Sequence, residues 1–234
     1  MCGRFSLGKP SAAAERFGFV DWHEVRVEPR FNIAPTQEIL LIVQELDQAP
    51  AIRVATWGFR PHWMEPERTR RQAPINARAE TLTDSPMFRE ALASRRCLIL
   101  ADGFYEWQAV AGSTLRTPLH IRLKAGEPFA FAGLWAPGKR GGPPTAAIVT
   151  TRPNELVAPI HNRMPVILRR DDEQRWLDLS VRASEQILSL LAPLPSGLME
   201  AYPVSPLVNA FQNEGPELIV PVGDVRLLHT ASGG

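Results

Sequence analysis

Apolar residues along this chain fall in short runs separated by turn-forming residues. Ile39–Val43, Leu98–Leu100, Leu119–Leu123, Phe129–Leu134, Ala146–Thr150 and Pro165–Leu168 are each of strand length, and most are bounded by Gly, Pro or Asp. The stretch Gly138–Pro144 (GKRGGPP) lies between two of these runs and predicts a hairpin loop; its Gly-Lys pair lacks the spacing of a phosphate-binding P-loop. Helical signals are scarcer. Ser11–Phe17 predicts a short N-capped helix, and Asp84-Ser85-Pro86 introduces a second over Met87–Ser94. Asp171–Leu179 and Ser184–Leu191 predict two amphipathic helices towards the C-terminal end. The pattern is that of an α+β protein: one domain over residues 2–230, with a mainly antiparallel, curved β-sheet core, flanking short helices and a disordered tail at residues 231–234. No internal repeat or linker divides it.

Composition narrows the class. With 234 residues, 44% hydrophobic and 22% charged, the chain suits one well-buried domain. No apolar run approaches the roughly 20 residues that span a bilayer, and MCGRFSLGKP lacks a secretory signal, so a cytoplasmic protein without membrane contact is expected. Two cysteines, Cys2 and Cys97, form neither a disulfide framework nor a zinc-binding pair, and neither a metal nor another cofactor is expected. The net charge of +1 conceals an asymmetry: residues 171–234 carry −6 and residues 1–170 carry +7. Six arginines (53, 60, 68, 70, 71 and 78) cluster within residues 51–78 against Glu65 and Glu67, a local excess able to attract phosphates.

Candidate chemistry begins at Cys2. Aminopeptidases remove an initiator Met that precedes a small residue, which leaves an amine and a thiol on adjacent carbons. A free α-amine, with a reference pKa near 8, is partly neutral and nucleophilic at pH 7. It condenses with an aldehyde to a Schiff base, and the thiol then closes a five-membered thiazolidine; an incidental buried cysteine is the plainer alternative. Asn76 and Arg78 stand two apart and share a side of an extended segment, suited to a sugar hydroxyl or carbonyl and to a phosphate. Glu106, between Tyr105 and Trp107, is a candidate acid/base if the rings desolvate it, and a surface glutamate otherwise. His161 is a candidate proton carrier and Arg163 a phosphate ligand, on a loop held by Pro159 and Pro165. Thr56–Trp63 interleaves aromatic and basic groups suited to unpaired bases, Trp63 among them, or equally to a core.

Taken in order, these segments resemble one family, the SOS-response-associated peptidases or abasic-site processing proteins. The matching stretches are Met1–Phe5, Phe31–Thr36, Trp57–Trp63, Asn76–Glu80, Arg96–Trp107, Ile160–Pro165, and Pro203–Ser205 with Val208-Asn209. The resemblance implies a thiazolidine crosslink between the N-terminal Cys and the ring-opened aldehyde of an abasic site in single-stranded DNA, which shields the lesion. It implies Cys2 as nucleophile, Asn76 as a positioning group, Glu106 as acid/base and His161 as its partner in proton transfer. Arg4, Trp63, Arg78 and Arg163 would contact DNA. The implied protein is a bacterial monomer of the cytoplasm, at the nucleoid when bound to DNA, with possible self-cleavage before the cysteine. Two positions depart from the family pattern. Leu100 replaces a usual proline, which is expected to loosen the strand end carrying Glu106, and Arg152-Pro153 replaces small residues ahead of His161.

Rival readings use the same cysteine. Class II glutamine amidotransferases also begin Met-Cys-Gly, with the thiol attacking an amide. A cysteine peptidase would pair Cys2 with His161. A non-covalent binder of single-stranded DNA would need only the basic aromatic segment.

Overall fold

The computed structural model describes residues 2–223 except 24, 62, 65–72, 111 and 182–184. Its strands are β1 (Phe5–Leu7), β2 (Arg30–Ile33), β3 (Glu38–Val43), β4 (Ala51–Trp57), β5 (Asn76–Arg78), β6 (Arg96–Ala101), β7 (Gly103–Ala109), β8 (Arg116–Leu123), β9 (Phe129–Ala136), β10 (Thr145–Thr151), β11 (Met164–Pro165) and β12 (Met199–Pro203). The helices are α1 (Pro10–Arg16), α2 (Arg89–Ser94), α3 (Arg170–Leu177) and α4 (Glu185–Ser189).

The strands form two sheets. One runs β12-β8-β7-β1-β2, antiparallel throughout. In the other, β10, β4, β3, β6 and β9 pair in turn, and β9 pairs back onto β10, closing a five-stranded ring. Closure leaves those strands without a bare edge, and it explains why β6 is buried at every residue: its inner face fills the ring and its outer face is covered by α2 and α3. The expected curved antiparallel sheet is thus a closed barrel, with β4–β10 and β5–β10 as parallel pairs. One apolar cluster runs through the ring and onto the second sheet, with Trp57, Phe5, Phe104 and Phe131 in edge-to-face contact along it.

β10 is shared. On one side Thr145 and Ala146 pair with β4, and Ile148–Thr150 then pair with β5. On the other side Thr145–Ile148 pair with β9, and Thr150 and Thr151 with β11. Two short arms therefore leave the barrel together at the far end of one strand.

Several boundaries differ from expectation. Helix α1 starts at Pro10, whose fixed φ suits the first helical position, and Ser11 lies inside it rather than capping it. Helix α2 starts at Arg89 rather than Met87, because Phe88 and Arg89 first fold back as a turn onto the Ser85 carbonyl. The run Pro165–Leu168 does not form one strand: Val166 N–H donates to Val149, while the Val166 carbonyl and Leu168 N–H turn to β9. Leu100 loosens nothing. It is fully buried and in register with Ala130, where a proline would lack the ladder donor. The predicted hairpin at residues 138–144 joins the antiparallel pair β9 and β10. Residues 224–234, which include the expected tail, lie outside the described residues.

A buried polar chain pins the second sheet. The Ser6 hydroxyl donates to Asp102 Oδ1 at 2.6 Å and lies 3.1 Å from His120 Nε2, and His120 Nδ1 lies 3.0 Å from the Tyr202 hydroxyl. Lys9 N–H donates to the second oxygen of Asp102 at 2.9 Å. Burial, with Arg122 nearby, lowers the His120 pKa to about 3, so the ring is neutral. The two ring nitrogens thus bridge the hydroxyls of Ser6 and Tyr202, and the Tyr202 hydroxyl also donates to the Ile219 carbonyl at 3.1 Å. Gly103 makes room for this chain: a Cβ there would sit 2.1 Å from His120 Nε2. Gly103→Ala should destabilise the protein by about 1–3 kcal/mol, read from the midpoint of urea unfolding at unchanged slope.

Candidate active site

Strand pairing delivers the first two site residues. In the β1–β7 ladder Phe5 faces Phe104, and Tyr105 N–H donates to the Arg4 carbonyl at 2.9 Å, which carries the segment before β1 along β7 towards Glu106. Cys2 there is 0% exposed, and its thiol faces the Arg4 carbonyl at 3.9 Å. Burial pushes the thiol pKa well up, and the negative charge of Glu106 adds to the rise. Glu106 is itself 4% exposed. Burial raises its pKa too, opposed by nearby positive charge, His161 included. Each group senses the next, so the thiol, the carboxyl and the imidazole share one site.

Asn76 and His161 arrive on the two arms of β10. Asn76, opposite Ile148 at the start of β5, donates its Nδ2 hydrogen to the Cys2 carbonyl at 2.9 Å. Its Oδ1 is buried with no hydrogen-bond partner among the described residues, an acceptor left for a hydroxyl or an amine. His161 ends a turn organised by Asn154, whose side chain accepts from Val157 N–H at 3.0 Å and donates to the Leu194 carbonyl at 2.7 Å. The Arg163 backbone holds the ring in place, its N–H 3.0 Å and its carbonyl 3.2 Å from His161 Nδ1. All four residues expected to carry chemistry are thereby gathered, from segments up to 159 positions apart.

The expected phosphate ligands divide. Arg78 is exposed at the end of β5. Arg4 is half-buried: its NH1 donates to Asn32 Oδ1 at 2.7 Å and to the Val208 carbonyl at 2.8 Å, and its guanidinium lies 5.9 Å from the Trp107 ring centre. Arg163 is buried further, and its NH1 and NH2 donate to the two oxygens of Glu80 at 2.7 and 2.9 Å. Trp63 is half exposed in a turn closed by Met64 N–H on the Pro61 carbonyl. The arginines at 68, 70 and 71 lie outside the described residues.

Three supporting residues went unread in the sequence. Asn32 donates to the carbonyls of Ala210 and Asn213 at 3.0 and 2.8 Å while holding Arg4. Asn209 accepts from the Trp107 indole at 2.7 Å. Glu80 neutralises Arg163, which holds the Glu80 carboxyl below the usual carboxylate range. Each lies in a segment that carried the family resemblance, but only spatial neighbours 28 or more positions away show what it does. No group of three His, Cys, Asp or Glu among the described residues could hold a metal ion, and no helix among them is long and apolar enough to cross a membrane.

Residues 1–211 match the family described as SOS response associated peptidase, and the chain belongs to that family. Among its relatives, the abasic site processing protein YoqW of Bacillus subtilis (strain 168) is 42% identical over 224 residues, which cover 94% of this chain and 99% of that one. The abasic site processing protein HMCES of Gallus gallus is 30% identical over 264 residues, covering 95% of this chain and 78% of the other. A solved structure from Bacteroides thetaiotaomicron superposes with a TM-score of 0.81 at 25% identity, over 94% of this chain and 100% of that one.

The buried carboxyl has a consequence for stability. A folded-state pKa raised above the unfolded value means that Glu106 stabilises least once pH exceeds it, because the folded protein must then ionise a desolvated group. Glu106→Gln keeps the shape and removes the ionisation. Its thermal midpoint relative to wild type should rise as pH goes from 4 to 8; a difference independent of pH would show that the carboxyl titrates normally.

Proposed function

We propose that this protein processes abasic sites in single-stranded DNA by covalent capture at Cys2. The observation that carries the reading is the placement of Cys2, buried between the amide of Asn76 and the carboxyl of Glu106. The relatives named as abasic site processing proteins, matched over almost the whole chain, support the substrate class.

The chemistry requires Cys2 to be the first residue of the mature chain. The abasic sugar opens to expose an aldehyde at C1′. The Cys2 α-amine adds to that carbon, and the resulting carbinolamine loses water to give an imine. The thiol sulfur then bonds the same carbon, its proton passes to the nitrogen, and a thiazolidine ring closes with one water released overall. Glu106, its pKa raised by burial, is suited to give a proton to the departing hydroxyl and to take one from the amine. His161 exchanges protons with it, and the open Oδ1 of Asn76 is available to a sugar hydroxyl. Arg78 is the exposed cation best placed to meet the flanking phosphate.

A thiol raised in pKa by burial and by an adjacent carboxylate is the reverse of what a cysteine peptidase arranges, since there the thiolate must be favoured at neutral pH. In capture the amine attacks first and the neutral thiol follows intramolecularly. The buried thiol therefore favours capture over peptide hydrolysis.

Protein with a free Cys2 terminus, incubated with a single-stranded oligonucleotide bearing one abasic site, should give a slower band that survives denaturing electrophoresis. Cys2→Ala, or retention of Met1, should abolish the band. Asn76→Ala should slow its formation by about a hundredfold, the scale for losing one preorganised polar contact. No band from wild type with a verified Cys2 terminus would overturn the reading, and glutamine or peptide hydrolysis in its place would identify the thiol as the attacking group.

A further inference from the structure

Arg163 carries two hydrogen-bonding duties at once. Its side chain meets both oxygens of Glu80, at 2.7 and 2.9 Å, and its NH2 also donates to the Thr150 carbonyl at 2.6 Å and reaches the Thr150 hydroxyl at 3.2 Å. The side chain is only 14% exposed, and its two terminal nitrogens are engaged by Glu80 and Thr150. Its backbone meanwhile holds the His161 ring, with N–H and carbonyl 3.0 and 3.2 Å from Nδ1.

The elements joined by this pair are the two arms of β10. Glu80 lies two residues beyond β5, the arm that carries Asn76. Arg163 lies one residue before β11, on the segment that carries His161. Thr150 is the strand residue between them, in register with Arg78 on one side and Pro165 on the other. A bidentate pair thus bridges the two arms across their shared strand, and β11 offers only a two-residue ladder to hold its side in place.

We infer that Glu80 is a positioning residue for the capture reaction, acting through Arg163 to hold His161 in register with Asn76 and Glu106. This rests on the proposed chemistry for its rate consequence, but not for its geometry. Arg163 is in this arrangement a clamp between the two arms. Without the carboxylate, the Arg163 side chain keeps only Thr150, the loop gains freedom, and the imidazole loses its fixed backbone partner. A small misplacement of a proton-handling group lowers the rate without touching DNA affinity.

Glu80 is half exposed, so Glu80→Gln should fold normally. With saturating abasic single-stranded DNA, that variant should crosslink roughly tenfold more slowly than wild type. Fluorescence anisotropy with an undamaged oligonucleotide should give the same affinity or a slightly tighter one. Glu80→Asp should recover most of the rate. In nitrogen-15 NMR spectra, with His161 assigned by comparison with His161→Gln, the wild-type ring should show one dominant tautomer and the Glu80→Gln ring a mixture. An unchanged saturated rate, an unchanged tautomer, or loss of DNA affinity in step with the rate would each overturn the inference. Should wild type fail to crosslink, covalent capture fails while the tautomer comparison still decides the clamp.

Discussion

β10 pairs with β4 and then β5 along one side, and with β9 and then β11 along the other. Its first half is sealed into the closed ring, where buried apolar side chains fix its position. Its last residues, Val149–Thr151, stand where the ring has ended, and each edge there takes a short arm. Asn76 sits on one arm and His161 three residues before the other. Because backbone ladders fix strand separation at about 5 Å, two residues 85 positions apart are held within reach of one site by main-chain geometry alone. The Arg163–Glu80 pair then fastens the side-chain layer that the ladder does not reach.

The second constraint is desolvation. Cys2 and Glu106 are both nearly inaccessible, brought in by the β1–β7 ladder, and in each case burial is the main cause of a raised pKa. Such a site disfavours thiolate and carboxylate together, which suits chemistry begun by an amine and handled by a neutral acid. The polar chain through Ser6, Asp102, His120 and Tyr202 keeps the same ladder in register from beneath, so it belongs to the fold rather than to the reaction.

Much of the fold was legible in the pattern of residues. Strands β3, β6, β9 and β10 coincide with uninterrupted apolar runs, because a strand covered on both faces has no polar face to alternate with, whereas β8 alternates Leu119, Ile121 and Leu123 with His120 and Arg122. The strands β2, β4 and β12 went unread, since each mixes polar and apolar residues and is partly exposed or at a sheet end. Ring closure was illegible: pairing between β9 and β10 looks like any hairpin until β10 is also seen beside β4. At the site, Asn76, Glu106 and His161 stood out by their segments, whereas Glu80 and Asn32 offered no local signal, their partners lying far along the chain.

The sequence by itself determined the reactive groups, an aminothiol at Cys2 with an amide, a carboxylic acid and an imidazole, since these are properties of residue type and order. It also determined the strand-rich class, because apolar periodicity is local. Tertiary structure decided which of these groups share a site, how far Cys2 and Glu106 are desolvated, and which arginines remain open to a phosphate. Arg78 and Arg163 look equivalent as residues in matching segments; one ends a strand in solvent and the other is folded against Glu80 and Thr150. Charge availability depends on partners brought together by folding, and neither periodicity nor spacing records them.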